Sequence, residues 1–362
     1  MNAASKPKVE RASFGRMPDG NEVERIVLRG AEGFEAGIIP YGAVLHTLHV
    51  PDRNGRSDDV VLGHDTFDEY LAQRKFLGAT VGRYANRIAG GQFMLDGATI
   101  KLDTNNGPNM LHGGNDGFDR KLWRIVEVRE TPEPAVVMAY TSADGERGFP
   151  GRVEARATYR ITGPAELSLT LEATTDRPTV INLTNHSFFN LDGALSESQI
   201  LDHRIRIVAE HFLATDATSI PLPGPPHPVS DTPFDFRQLH AIGSRIRGDD
   251  EQLRRGRGYD HNYCLPAGEG VRLAARVESP RSGRVMELHT NQPGLQFYSG
   301  NFLDATTVGK AGKIYRMGDA IVLEPQMFPD TPNHPEFGSI RLEPGRTYRN
   351  VIVWRFSTVP AR

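Results

Sequence analysis

The sequence predicts an all-β fold, a large single-domain antiparallel β-sandwich, from three observations. The 362 residues include 37 glycines and 25 prolines, about one in six, a density of chain breakers that leaves little room for long helices. Apolar and polar residues alternate in short runs along most of the chain. Helical patterns are few, and the strands carry one apolar and one polar face, as in stacked antiparallel sheets rather than a helix-wrapped parallel one.

Taken in order, Ile26–Leu28, Glu35–Ile39 and Val44–Val50 read as strands, closed by the turn Pro51-Asp52-Arg53-Asn54-Gly55. Thr66–Gln73 predicts a short helix with Thr66 as its N-cap. Gln92–Leu95 runs into an Asp96-Gly97 turn and returns through Ile100–Leu102. Val153–Ile161 and Leu167–Ala173 predict an antiparallel pair, and Arg237–Arg245 a second helix. Between them, Ser219–Phe236 holds six prolines and predicts an extended loop. Strand patterning resumes on both sides of that loop, so it does not divide the chain. Thr347–Phe356 alternates Tyr348, Ile352, Trp354 and Phe356 against the intervening residues as a final strand. The expected organisation is an N-terminal extension, residues 1–22, followed by one domain, residues 23–362.

Composition excludes several classes of function. With 42 basic against 45 acidic residues and a net charge of −3, the chain lacks the basic excess of a general nucleic-acid binder. Its longest apolar runs, such as Ala320–Leu323 and Val351–Trp354, are far short of a membrane-spanning helix, so no membrane partner is expected. Cys264 is the single cysteine, which precludes an internal disulfide and a cysteine-based zinc cluster. No leader pattern is visible in the first residues, and together these features predict a cytoplasmic protein, or a periplasmic one had a leader been trimmed.

Four segments carry more polar chemistry than a fold requires. Gly82–Gly91 contains Arg83, Asn86 and Arg87, a set of donors suited to sugar hydroxyls or a carboxylate, though an exposed loop with a surface ion pair fits as well. Asn105–Gly114 is turn-like and ends with His112 before two glycines, where an ordinary solvated histidine is the plain alternative. In Val180–Leu191, read as one strand, Asn182, Thr184, His186, Phe188 and Asn190 share a face. Solvated faces favour Lys, Glu and Arg, and none occurs there; the face resembles the floor of a polar-ligand site. In Ala320–Asp330, Glu324 ends a four-residue apolar run, where partial desolvation raises a carboxylate towards the range of a general base. A strand-end glutamate pointing outward satisfies the same residues. Two lesser segments, Gly258–Leu265 with Asp260 and Asn291–Tyr298 with Gln292, add a carboxylate and an amide; solvated turns are the simpler reading of both. Glycine-rich nucleotide loops, His-Glu-x-x-His and Gly-x-Ser-x-Gly are absent from the sequence.

In this order, Gly82–Gly91, Asn109–Gly114, Asn182–Asn190, Tyr259–Leu265, Asn291–Asn301 and Leu323–Asp330 resemble the aldose 1-epimerase (galactose mutarotase) family from about Val23 to Phe356. The pairing of Asn-His-Ser-Phe-Phe-Asn-Leu with Leu-Glu-Pro-Gln carries most of the specificity. The resemblance implies a large antiparallel β-sandwich that interconverts the α and β anomers of free aldoses of the glucose, galactose, xylose and arabinose class. It implies Glu324 as general base and His186 as general acid, with Asn86, Arg87, His112, Asp260 and Gln292 binding sugar hydroxyls or the ring oxygen. It implies no metal and no organic cofactor, a small sugar as partner, and a monomer or homodimer.

Three rivals share parts of this pattern. A non-catalytic carbohydrate-binding module uses the same polar floor without an acid–base pair. A glycoside hydrolase needs two carboxylates flanking a bond, for which Glu324 and Asp260 are the candidates. A hexose-6-phosphate 1-epimerase needs extra arginines on the rim, for which Arg83 and the stretch Arg245–Arg257 are available.

Overall fold

The computed structural model describes residues 8–360; of the N-terminal extension 1–22, residues 1–7 lie outside the described residues. Three sheets dominate, and their strands pair antiparallel. A nine-stranded sheet includes Val153–Gly163 beside Glu166–Thr175, then the last strand Tyr348–Thr358, then Arg284–Thr290. A six-stranded sheet places Phe188–Phe189, Ile321–Gln326, Gly294–Tyr298, Asp260–Cys264, His211–Phe212 and His227–Pro228 side by side. A five-stranded meander is formed by Lys8–Arg16, Glu22–Arg29, Glu35–Ile39, Val44–Pro51 and Ser57–Asp59.

The inner faces of these sheets share one apolar core, which is what makes the fold a sandwich. Trp354 of the nine-stranded sheet meets Phe189 of the six-stranded one at 6.0 Å between ring centroids, and Phe356 meets Phe34 beside the meander at 5.9 Å. The final strand follows its predicted alternation: Ile352, Trp354 and Phe356 are buried while Arg349 and Arg355 are exposed. Asn350 breaks this apolar row. Its buried amide donates to the carbonyls of Leu183 and Pro325, each at 2.8 Å, and so joins the segment before His186 to the residue after Glu324.

The helix Phe67–Ala72 forms where expected, with Thr66 and Glu69 closing a capping box. The second predicted helix does not form. Arg237–Arg245 instead contains the two-residue strand His240–Ala241, paired with Arg204 and Ile205, and a single tight turn, Ile242–Ser244. Gly243 weakens that stretch, and the helix starts later, at Glu251–Gly256, where Asp250 accepts from the amides of Gln252 and Leu253. The proline-rich segment 219–236 is a long connection pinned to the sheet. Phe234 stacks on Phe212 at 4.3 Å, and its carbonyl accepts from the Tyr263 hydroxyl at 3.1 Å.

Candidate active site

The floor of the site is written in the register of the six-stranded sheet. Asn262, Gln296 and Glu324 stand opposite one another across three neighbouring strands, and Asp260, Tyr298 and Val322 form the next row. Phe188 extends that row from the far side of Val322. Because side chains alternate along a strand, both rows project from one face while Leu295, Phe297 and Leu323 enter the core from the other. His186 comes from the strand Thr184–His186, which pairs with Ala79–Val81 rather than continuing into Phe188–Phe189. Val180–Leu191 is therefore three short strands instead of one.

The wall is built by two bent backbones bonded to each other. The His112 amide donates to the Asn86 carbonyl, and the Asn86 amide donates to His112 Nδ1, both at 3.1 Å. Asn86 and His112 have φ of 65° and 48°, the left-handed region that costs a side chain energy and clusters at functional sites. The glycine after His112 is required: at Gly113, φ is 83° and a Cβ would lie 1.9 Å from the Gly82 carbonyl oxygen. Arg87 donates through Nε to Asn106 Oδ1 at 2.9 Å.

Floor and wall enclose a cavity of about 350 Å³, within the usual range of small-molecule pockets. Glu324, His186, Asn86, Arg87, His112 and Asp260 all line it. Gln292, the remaining sequence-predicted residue, does not. It sits in the turn before Pro293-Gly294, its amide spent on Asn291 Oδ1 and the Arg349 carbonyl at 3.2 Å each. The glutamine at the floor is Gln296, whose Nε2 donates to Asp260 Oδ1 at 2.7 Å. Its signal was phase: Gln296 alternates with Tyr298 on a strand, whereas Gln292 precedes a turn. Asn106, from the turn-like segment Asn105–Gly114, also lines the cavity, as do Arg74, Phe76 and Phe302, which carry no motif in the sequence.

Of the polar face read between residues 182 and 190, only His186 and Phe188 reach the cavity. Asn182 donates to the Ala85 and Met327 carbonyls, Thr184 to Pro325, and Asn190 to Ser198 and Asp319. These side chains fasten the site's backbone segments together. Arg83 is similarly occupied: only 2% exposed, it donates to the carbonyls of Ala143, Pro150 and Gly151, so it supplies no rim cation. Arg255 pairs with Glu251, and Arg245 bonds the Asp235 carbonyl.

The centre holds His186 Nε2 3.8 Å from Glu324 Oε1. Glu324 is 2% exposed, and its Oε2 has no hydrogen-bond partner among the described residues. Burial, reinforced by the neighbouring Asp260 and opposed by Arg87, lifts the Glu324 carboxyl well above its ordinary range. Burial also lifts Asp260, against the pull of Arg87 and Gln296. It lowers His186 to about 4. His112 is pushed well below the usual imidazole value by burial, then by the cationic neighbourhood of His186, Arg87 and Arg74.

His112, His186 and Glu324 offer ligand atoms within 4.8 Å of one another, the side-chain set of a two-histidine, one-carboxylate metal site. The wall geometry argues against that use. With Nδ1 accepting from the Asn86 amide, neutral His112 carries its proton on Nε2, and an N–H has no lone pair for a cation. The same arrangement makes His112 a hydrogen-bond donor to a hydroxyl or ring oxygen.

A sequence model of the family described as aldose 1-epimerase matches residues 24–355. The chain is similar to a galactose mutarotase of Sus scrofa, 42% identical over 353 residues that cover 96% of this chain and 98% of the relative. It is also similar to an aldose 1-epimerase of Escherichia coli (strain K12), 38% identical over 94% of this chain and 96% of that one. Among solved structures, an aldose epimerase homologue from C. elegans aligns with a TM-score of 0.84 and 34% identity, covering 93% of this chain and 99% of its own. A galactose 1-epimerase from Lactobacillus acidophilus aligns at 0.86 and 27% identity, covering 98% and 100%.

Proposed function

The chain belongs to the aldose 1-epimerase family, and on that premise we infer how its buried acid–base pair interconverts the α and β anomers of aldoses. The observation that carries the reading is the 3.8 Å spacing of His186 Nε2 and Glu324 Oε1 in a sugar-sized cavity. Anomerisation moves protons at two oxygens bonded to the same carbon, the C1 hydroxyl and the ring oxygen. An acid and a base that serve them must stand close together, as these do.

In this reading Glu324 takes the proton of the C1 hydroxyl while His186 delivers one to the ring oxygen. The C1–ring oxygen bond breaks and C1 becomes an aldehyde. Rotation about C1–C2 presents the other face of the carbonyl, and the C5 oxygen adds back to it. The two proton transfers then run in reverse, so both residues end as they began. In the free site burial raises the Glu324 carboxyl and lowers the His186 imidazole, so a proton held by the pair favours the carboxyl. A bound sugar, whose C1 hydroxyl donates to the carboxylate, favours the carboxylate–imidazolium form that the step uses.

Arg87, His112 and Asn86 act as donors to sugar oxygens from the wall, and Asp260, steadied by Gln296, accepts from hydroxyls on the floor. Residues 23–362 are the catalytic unit. The single cysteine supports a cytoplasmic enzyme and the near-neutral charge one that engages no nucleic acid; we propose it as a monomer or homodimer. Among the described residues no helix is long and apolar enough to cross a membrane.

The test is the optical rotation of freshly dissolved α-D-glucose, α-D-galactose and α-D-xylose. Faster relaxation to an unchanged final rotation is the expected result. Sugar binding without acceleration of any of the three would mark a carbohydrate-binding module instead.

A further inference from the structure

Arg74 makes a two-pronged ion pair far from any motif. Its Nε and Nη2 donate to the two carboxylate oxygens of Asp119 at 2.8 Å each, and its Nη1 donates to the Asn115 carbonyl at 3.1 Å. Asp119, in the tight turn Phe118–Arg120, is 5% exposed, so the pair is held in one orientation. The flat guanidinium lies over the ring of Phe76, 4.7 Å from its centroid. Phe76 has a φ of 58°, a conformation that a bulky residue keeps only when its surroundings enforce it. Its ring in turn meets both site imidazoles, His112 at 4.9 Å edge-on and His186 at 5.7 Å. The two imidazoles touch each other at 5.2 Å, nearly perpendicular.

We propose that Asp119, Arg74 and Phe76 form a positioning chain for the acid–base centre: the ion pair clamps Phe76, and Phe76 fixes the orientation of the His112 and His186 rings. The inference rests on His186 acting as the proton donor. Its physical basis is that His186 Nδ1 has no hydrogen-bond partner on any other described residue, its backbone interaction being with its own residue. A catalytic imidazole is normally aimed by a bond at its second nitrogen. Here ring packing supplies the aim: Phe76 lies on one side, and Phe188 at 5.0 Å and Tyr298 at 6.4 Å complete the surround. A ring with no bond to a neighbouring residue is sensitive to loss of any member of the packing. Arg74, Asp119 and Phe76 would act through the histidines without touching the reacting atoms.

The experiment measures kcat and KM for D-galactose anomerisation, with thermal midpoints, for Arg74→Gln, Arg74→Lys, Phe76→Leu, Phe76→Tyr and the double variant Arg74→Gln/Phe76→Leu. Misplaced catalytic groups lose rate rather than affinity, so Arg74→Gln and Phe76→Leu should lower kcat by roughly 5- to 100-fold with KM moved less than about 3-fold. Phe76→Tyr, which keeps the ring, should restore most of kcat; Arg74→Lys, which keeps the charge but not the planar face, should restore part. Because the residues act in series, the double variant should lose about as much as the worse single one. Folded Arg74→Gln and Phe76→Leu proteins with kcat within about 2-fold of the parent would overturn the proposal. So would a loss confined to KM, or losses in the double variant that simply multiply. Should Arg74→Gln fail to fold, Phe76→Leu and Phe76→Tyr decide the matter alone. A parallel His186→Asn variant keeps the two readings apart: if it retains full kcat, the assignment of the acid fails, whatever the Arg74 variants show.

Discussion

His186 Nε2 stands 3.8 Å from Glu324 Oε1, and the two residues come from backbone segments tied together beneath them. The Pro325 carbonyl accepts from both Thr184 Oγ1 at 2.7 Å and Asn350 Nδ2 at 2.8 Å, and Asn350 also bonds the Leu183 carbonyl. The spacing is thus fixed from the core side by buried polar groups. A hydrolase pair flanking a glycosidic bond is set wider, roughly 5–5.5 Å or 6.5–9.5 Å between carboxyls, because it must span a bond and a water or a nucleophile. In the proposed reading, acid and base address two oxygens on one carbon.

Replacing Glu324 by Gln should therefore remove turnover and spare binding. The amide keeps the size and a hydrogen-bonding oxygen but cannot accept the C1 hydroxyl proton. General base catalysis contributes about 10²–10⁴ in rate, and a loss of that size in kcat is expected, with the sugar dissociation constant changed only a few-fold. Polarimetry and isothermal titration on the same preparation separate the two quantities. Weakened binding with undiminished turnover at saturation would reassign Glu324 to the sugar-binding set.

The pH profile of kcat/KM should be bell-shaped with an unusually broad top. The pair needs one shared proton. Below about pH 4, where His186 takes up a proton in the free site, both groups are protonated and no base remains. Above the raised value of Glu324 the shared proton is lost and no acid remains. The acid limb should thus fall near pH 4, below the range where an ordinary histidine titrates. Initial rates corrected for spontaneous mutarotation at each pH provide the check, and an acid limb centred near 6.5 would show that burial does not govern His186.

Much of this site was legible before any coordinates because its signals were local. Asn86-Arg87, His112-Gly113-Gly114 and the Glu324 strand each carry their chemistry within a few residues, and alternation located the sandwich strands. The misreadings have long-range causes. Asn182, Thr184 and Asn190 look like a ligand-binding row until the carbonyls of residues 85, 325, 319 and 327 arrive from elsewhere to occupy them. Gln292 and Gln296 are distinguished by cross-strand register with Glu324, and Arg237–Arg245 lost its helix to pairing with Arg204–Ile207. Arg74, Phe76 and Asn350 had no motif at all, since their roles exist only through contacts with distant residues.

The two glutamines give a paired prediction. Gln296→Leu removes the donor to the half-buried Asp260, a bond to a carboxylate worth about 1.5–3 kcal/mol, and should raise KM for galactose about 10-fold or more. Gln292→Ala removes bonds that tie the turn to Asn291 and to the Arg349 carbonyl of the last strand, outside the cavity, and should leave kcat and KM within about 2-fold of the parent while lowering the thermal midpoint slightly. A larger KM effect at Gln292 than at Gln296 would return the former to the sugar site.

His261 provides a test of electrostatics away from the chemistry. It is 1% exposed, its Nδ1 accepts from the Asp260 amide at 3.1 Å, and its Nε2 lies 3.2 Å from Gln252 Oε1, a pattern that fits the neutral ring. Burial lowers it to about 3, against about 6.5 in the unfolded chain. Between those values the unfolded state binds a proton that the folded state refuses. Its contribution to stability is therefore complete above pH 6.5 and is lost as the pH falls towards 3, at up to about 1.4 kcal/mol per pH unit. His261→Gln has no such proton to exclude. It should be less stable than the parent at pH 7.5, and the difference should shrink or reverse by pH 4.5 in urea melts at matched ionic strength. A difference that stays constant over this range would mean that the ring takes up its proton equally in the folded and unfolded chain, and that burial does not shift it.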